Sequence, residues 1–335
     1  MLTIICDAPG KLSAIDRPKP ARGEGEVLVK LRRIGVCGTD LHIFTGNQPY
    51  LSYPRVMGHE LAATVEEAPP GSHLSPGDTV SIIPYISCGR CHACLKGKTN
   101  CCRTLGVLGV HRDGGMSEYL SLPQEFVLKA DGLSLDQAAM VEFLAIGAHA
   151  AARARVEPGQ KVLVTGAGPI GLAVAIFALL DGGDVTLLDG RTDRLDFARR
   201  HLGITSIVQL GAEDEAQLST VTDGDFFDVV FDATGNPKAI ERGFGFVGHG
   251  GTYVLVSIVS SDIAFSDPEF HKRETSLLGS RNATRVDFER VMQAMREGRI
   301  PAALVTHRMT LADVPERFPR LTDPAAGVVK ALVEV

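Results

Sequence analysis

The run Lys161-Val-Leu-Val-Thr165-Gly166-Ala-Gly168-Pro169-Ile170-Gly171, leading straight into the apolar stretch 172–180, constrains this chain more than any other segment. A short buried strand, a turn of the form G-x-G-x-x-G and a helix follow one another without a break. That order belongs to a doubly wound parallel sheet. Gly166 permits the tight turn, Gly168 lets the backbone approach a pyrophosphate, and Gly171 allows close packing of helix on strand. Pro169 opens the helix where its missing N–H costs nothing, Ile170 continues it, and the free N–H groups of the first turn face an anion.

A second strand over 184–188 ends in Asp189, in the region about 20 residues beyond the turn where a dinucleotide fold places its ribose-binding acid. A carboxylate here takes the ribose hydroxyls and repels a 2′-phosphate, which favours NAD over NADP. Its alternative role is to cap the helix starting near Thr192, and Arg191 and Arg194 temper the preference. Two later strands, 228–231 and 252–256, extend the sheet and put Asp232-Ala-Thr234-Gly235 and Ser257 at its carboxyl end, near the nicotinamide.

Of the seven cysteines, all but Cys6 and Cys37 fall between Cys88 and Cys102. The order Cys88-x2-Cys91-x2-Cys94, then Cys101-Cys102, lets thiolates fold back over one centre, with Gly89 and Gly97 easing the turns. Four sulfurs close a tetrahedral site, so the site is structural. Spacing leaves the fourth ligand open between Cys101 and Cys102, with His92 competing. An iron–sulfur cluster is the chemical rival, but the usual C-x3-C-P continuation is missing.

The chain before the glycine turn is strand-rich: 26–31, 61–65 and 78–83 are apolar runs separated by turns such as Pro69-Pro70-Gly71 and Pro76-Gly77, a barrel-like or sandwich-like pattern. Within it lie Cys37-Gly-Thr39-Asp40-Leu-His42 and Gly58-His59-Glu60. A thiolate, an imidazole and a carboxylate from separate loops can hold zinc with one position open, the arrangement of a catalytic site, with Asp40 orienting an imidazole. Each residue alone has a plainer explanation as core or surface.

These motifs together, in this order along essentially the whole chain, resemble the zinc-dependent medium-chain alcohol and polyol dehydrogenases. The resemblance implies a GroES-like β-rich catalytic domain (1–149 and 284–335) interrupted by a Rossmann NAD-binding domain (150–283). It selects Cys102 as the fourth structural ligand and leaves Cys101 aside. It implies that Cys37 and His59 bind a catalytic zinc, that Glu60 is a direct or alternating ligand, and that Glu142 supplies a further ligand or supporting carboxylate. Polyol-type members often carry Glu-Pro where this chain has Glu142-Phe143. The stretch 105–119 is similar to a sugar-acid branch that includes L-galactonate dehydrogenases, alongside the sorbitol-type enzymes.

The expected reaction moves a hydride between NAD and a secondary alcohol, either a polyol or a sugar acid, with an amino-alcohol or simple alcohol as alternative substrate. Thr39 and His42 carry the hydroxyl proton toward solvent. His111, Phe44 and Tyr50 are read as packing rather than substrate contacts, and 287–296 as an ordinary buried helix face. A zinc-knuckle interaction protein would explain the thiols but not the cofactor turn, and a zinc-independent reductase would need only the Rossmann half.

Composition sets outer bounds. At 335 residues the chain has room for about two domains. Forty acidic against 34 basic side chains, a net charge of −6, argue against a nucleic-acid partner. The run 172–180 falls short of the ~20 residues that span a bilayer, and the first residues lack a basic leader, so no membrane association and a cytoplasmic address are expected. The family resemblance implies a homodimer or homotetramer.

Overall fold

The computed structural model describes residues 1–48 and 51–335, so Tyr50 lies outside the described residues. The chain divides into two compact units, Met1–Phe143 with Thr284–Val335, and Leu144–Ala283.

The first unit opens with the hairpin β1 (Leu2–Ala8) and β2 (Lys11–Asp16) and the long strand β3 (Glu26–Val36). Helix α1 (Gly38–Thr45) follows, capped at its start by Cys37 and at its end by Gly46, whose φ of 83° a side chain would oppose. Strands β4 (Glu60–Glu67), β5 (Thr79–Ile82) and β6 (Tyr85–Ile86) lead to the short helix α2 (His92–Leu95). Then come β7 (Gly106–Val107), β8 (Tyr119–Pro123), β9 (Val127–Lys129) and helix α3 (Leu135–Ala154), which the division between units crosses.

The second unit is the α/β layer. Strand β10 (Lys161–Thr165), helix α4 (Pro169–Leu180), β11 (Asp184–Asp189), α5 (Thr192–Leu202) and β12 (Ile207–Gln209) form its first half. Helix α6 (Asp214–Thr220) joins it to β13 (Phe227–Asp232), α7 (Pro237–Gly243), β14 (Val247–Leu255), α8 (Asp267–Lys272) and β15 (Ser276–Gly279). The six strands are all parallel in the order β12-β11-β10-β13-β14-β15. From β10 the chain winds outward to β12, then returns to the other flank of β10 as β13. That reversal is the switch point at which doubly wound sheets bind ligands beyond their carboxyl ends. Strands buried on both faces read as continuous apolar runs, which is why residues 162–164 carry no polar alternation. Leu163, Phe227, Val230 and Tyr253 are centred in the core.

The chain then re-enters the first unit as helix α9 (Arg285–Arg296), whose Phe288, Val291, Met292 and Met295 are buried as the helical spacing requires. Strand β16 (Val305–Thr310), helix α10 (Val314–Arg317) and β17 (Lys330–Glu334) complete it. The seven-stranded sheet runs β16-β17-β3-β4-β5-β9, with β8 also paired to β3. The last strand therefore docks beside β3, opposing Ala331 to Val36 and Leu332 to Gly35, while Gly35 also faces Glu60 of β4. This junction of β17, β3 and β4 carries the metal-ligand chemistry.

Candidate active site and cofactor turn

One donor set lies where β3 ends and β4 begins. Single donor atoms of Cys37, His59 and Glu60 all lie within 4.8 Å of one another, so the three can hold one ion. Asp40, wholly buried in the first turn of α1, fastens the two ligand loops together. Its Oδ2 accepts the Cys37 N–H at 3.0 Å and its Oδ1 accepts the Gly58 N–H at 3.1 Å. The same Oδ1 stands 3.8 Å from His59 Nδ1, an ion-pair contact too long for a hydrogen bond. His59 Nδ1 is left buried without a hydrogen-bond partner. Burial drives the imidazole toward the neutral form, yet Asp40, Cys37 and Glu142 together hold its pKa well above the usual value. The pocket thus has the field and the donor atoms of a cation site.

The two glutamates are not equivalent. Both Glu60 oxygens accept from Lys330 Nζ, at 2.6 and 2.8 Å, and Lys330 also reaches Val36 O at 3.3 Å. Burial alone would lower the Lys330 pKa, but Glu60, Cys37 and Glu142 keep it above that of an ordinary lysine. Glu142 presents one oxygen to the Tyr85 hydroxyl and keeps Oε2 buried and unpartnered. Burial, opposed by His59 and reinforced by Glu60, pushes its carboxyl up to about 7. Glu142, expected as a further ligand or supporting carboxylate, is not one of the three residues whose donor atoms are mutually close. Thr39 is half-buried on α1 and His42 is exposed one turn further on. Phe44 packs edge-on against Phe318, as a core aromatic does, and His111 is exposed.

The second donor set is the knuckle. The sulfurs of Cys88, Cys91, Cys94 and Cys102 lie within 4.8 Å of one another, with Cys91 and Cys94 at 3.5 Å. Gly89 (φ 68°) and Gly97 (φ 72°) make the left-handed turns that bring them round. Cys101 is exposed and His92 points from the start of α2 into solvent, so geometry and family spacing agree on Cys102. Backbone N–H groups of Arg90 and Cys91 lower the Cys88 thiol to about 6, preparing a thiolate for a metal. The thiol, imidazole and carboxylate of the first set, with His59 Nδ1 unpartnered, and four converging sulfurs in the second both fit zinc.

In the α/β unit the glycine turn has the shape a pyrophosphate needs. Gly166 has φ 92°, and a Cβ built there would meet Ala233 O at 2.9 Å; one at Gly171 would collide with Gly166 O. At Gly168 only Arg194 Nη1 lies nearby, at 3.7 Å, leaving open space at the mouth of the turn. Pro169 is the first residue of α4 and Ile170 the second. Asp189 does not cap the next helix, whose N-cap is Arg191. Its Oδ2 accepts the Ala167 N–H at 2.6 Å and its Oδ1 accepts the Arg191 N–H at 2.7 Å, while Arg194 stands 3.7 Å away. Asp189 thereby ties the end of β11 to the glycine turn. A cleft of about 450 Å³ opens here, lined by Gly166, Asp189, Arg194, Thr234, Lys238 and Arg242 among others. Thr234 and Ser257 meet at Asp232, at the carboxyl ends of β13 and β14. These shapes fit a dinucleotide.

Two residues escaped the sequence reading. Lys330 sits in Val328-Val-Lys330-Ala-Leu-Val, and a lone charge inside an apolar run was the available signal. Tyr85 gave none, because it is defined by a partner far away in the chain.

Residues 23–132 match the alcohol dehydrogenase GroES-like domain family and residues 169–297 match the zinc-binding dehydrogenase family. An L-galactonate-5-dehydrogenase of Escherichia coli K12 is 43% identical over 322 residues, covering 96% of this chain and 95% of that protein. An RspB alcohol dehydrogenase structure from Escherichia coli CFT073, solved with NADH, superposes with a TM-score of 0.93 at 29% identity, covering 100% and 99% of the two chains. A Sinorhizobium meliloti chain bound to NADP reaches 0.91 at 29% identity, with 100% and 99% coverage. The chain belongs to the zinc-dependent alcohol dehydrogenase family, with its GroES-like and Rossmann-like parts. Among the described residues no helix is long and apolar enough to cross a membrane.

Proposed function

We propose that this enzyme oxidises the secondary hydroxyl of a sugar acid, or of a related polyol, with NAD. The observation that carries the reading is the set of half-buried Cys37 with buried His59 and Glu60, on a chain that also carries a buried, unpartnered Glu142 oxygen and the dinucleotide turn. A zinc ion there supplies Lewis-acid polarisation of a hydroxyl oxygen, and the nicotinamide supplies the hydride acceptor. Cys37 and His59 hold the ion, and Glu60 joins them or alternates with Lys330 as its partner. Asp40 keeps the two ligand loops in register. Thr39 takes up the hydroxyl proton, and the exposed His42, one turn along the same helix, releases it to solvent. The knuckle binds a second zinc that serves the fold.

The sugar-acid substrate is supported by the 43% identity to an L-galactonate-5-dehydrogenase over nearly the whole chain. Preference for NAD rests on the Asp189 carboxylate, which stands where a 2′-phosphate would have to fit; the two structural relatives carry one cofactor each. A homodimer or homotetramer is the assembly, checked by light scattering on a sizing column.

The test is a panel of aldonates, polyols, amino-alcohols and simple alcohols, each with NAD and NADP, scored by reduced cofactor. Turnover of an aldonate or polyol with NAD is expected. Activity confined to NADP would overturn the role of Asp189, activity confined to amino-alcohols would overturn the substrate class, and full activity after metal removal would overturn the zinc chemistry. A Thr39→Ala enzyme that keeps full turnover removes Thr39 from the proton route.

A further inference from the structure

Asp232 is the last residue of β13 and is fully enclosed. A carboxylate taken out of water must be satisfied by other groups, and here these are neutral hydrogen-bond donors. Thr165 Oγ1 donates to Oδ2 at 3.0 Å, Thr234 Oγ1 to Oδ2 at 2.9 Å, the Thr234 N–H to Oδ1 at 3.2 Å, and Ser257 Oγ to Oδ1 at 2.7 Å. The main-chain oxygen of Asp232 works on the same neighbour, accepting the N–H groups of Val256 at 3.0 Å and Ser257 at 3.2 Å. The loop leaving β14 is therefore pinned to Asp232 at three points.

The location gives this network a use. Thr165 ends β10 and lies opposite Asp232 in the strand register, across the switch point of the sheet. The half of the sheet formed by β10, β11 and β12 carries the glycine turn and Asp189, the parts that take a pyrophosphate and an adenosine ribose. The second half, beginning at β13, takes the other mononucleotide beyond its carboxyl ends. Asp232 and Ser257 sit at those ends.

A hydroxyl has one proton to give and two lone pairs to offer. Thr234 spends both kinds of capacity locally, because its oxygen also accepts the Asn236 N–H at 3.1 Å. Ser257 gives its proton to Asp232 and is half-exposed, so its oxygen keeps acceptor capacity at the carboxyl end of the sheet. A nicotinamide carboxamide carries N–H donors; an acetyl group in the same place carries none.

Resting on the dinucleotide reading above, we propose that Asp232 is a positioning residue for the nicotinamide: by holding the Ser257 proton it fixes that hydroxyl as an acceptor for the carboxamide N–H. Asp232 acts through Ser257 and does not touch the cofactor. An asparagine at 232 would keep its amide oxygen toward the Thr234 N–H and Ser257, whereas an alanine removes both carboxylate oxygens. Ser257 is then free to turn its proton outward, toward the carboxamide donor.

The experiment compares the metal-loaded full-length protein with Asp232→Ala and Ser257→Ala. NADH and its 3-acetylpyridine analogue are titrated by fluorescence, and ADP-ribose, which lacks the nicotinamide, by calorimetry. Both variants are expected to bind NADH roughly five- to tenfold more weakly, the effect of one lost hydrogen bond. ADP-ribose affinity stays within about twofold, and the acetyl analogue, bound more weakly than NADH by the parent, is little changed, so the preference for the amide shrinks. Equal losses for NADH and ADP-ribose would show that Asp232 merely shapes the fold and would overturn the proposal, as would unchanged NADH binding in Ser257→Ala. Should Asp232→Ala not fold, Ser257→Ala at its half-exposed position decides the matter alone. A parent protein that binds neither NADH nor ADP-ribose would instead overturn the dinucleotide reading itself.

Discussion

Lys330 Nζ bridges both carboxylate oxygens of Glu60 at 2.6 and 2.8 Å, and both side chains are buried. The pair exists because Gly35, opposite Glu60 in the β3–β4 register, leaves room for it. A Cβ built at Gly35 would fall inside the Glu60 carboxylate. One strand thus provides the hole, a second the anion and the last strand of the chain the cation.

Removing the cation strands the anion. Lys330→Met is expected to cost about 3 kcal/mol, because an uncompensated buried charge remains. The freed carboxylate should then stay on the metal, so cobalt substituted at this centre should show an altered visible spectrum. Denaturant unfolding and that spectrum check the two halves separately. Gly35→Ala acts on the same pair by crowding and should cost about 1–3 kcal/mol. Unchanged stability in both variants would refute the reading of this junction.

The two donor sets should separate by metal analysis. Cys37→Ser is expected to lose one zinc and to lower turnover by roughly a hundredfold or more, since the lost Lewis acid supplies several kcal/mol, while the thermal midpoint changes little. Cys94→Ser is expected to lose the other zinc together with several degrees of thermal stability. A single zinc per chain in the parent protein would contradict this division.

Asp189 has two duties, to the ribose and to the Ala167 N–H that it holds at 2.6 Å. Asp189→Ala should therefore weaken NAD by roughly tenfold and NADP by less, because losing the hydrogen bonds hurts both cofactors but losing the negative charge favours only the phosphorylated one. The ratio of kcat/KM values for the two cofactors is the measurement. An unchanged ratio would assign Asp189 to the turn alone.

Asp214 is buried and pairs with Arg242, which holds its carboxyl below the usual range against the opposing effect of burial. A depressed folded-state pKa stabilises the fold at pH values above the ordinary aspartate value, near ~4, and this contribution disappears as pH falls through the depressed value. Arg242→Met should cost about 1–3 kcal/mol at neutral pH, less than a fully buried pair because Arg242 is 37% exposed. The difference from the parent should close as pH falls below about 4. Thermal midpoints across pH 3–7 show whether the gap closes; a constant gap would mean that Arg242 stabilises by packing, over the ring of Phe246.

The local motifs were legible because their chemistry lies within a few residues. Gly166 to Gly171 form the turn that their spacing implies, and Pro169 does open α4. The amphipathic period of 287–296 marks a helix that the structure begins two residues earlier, at Arg285. Asp189 shows the limit of such reading. Its position at a strand end was plain, but its bond to Ala167 links two strand ends that neighbour each other only in the folded sheet.

The sequence by itself determined the local units of chemistry, namely a dinucleotide turn and a thiol knuckle, because glycine conformations and cysteine spacings act locally, whereas the Cys37, His59 and Glu60 set was read through the resemblance to a known family. Only the tertiary structure decided how the two glutamates differ. Glu60 is held by a lysine 270 positions away, and Glu142 keeps a free oxygen beside the Tyr85 hydroxyl. In a buried site the state of a carboxylate depends on which charges and donors enclose it, and strand pairing between distant parts of the chain sets that enclosure.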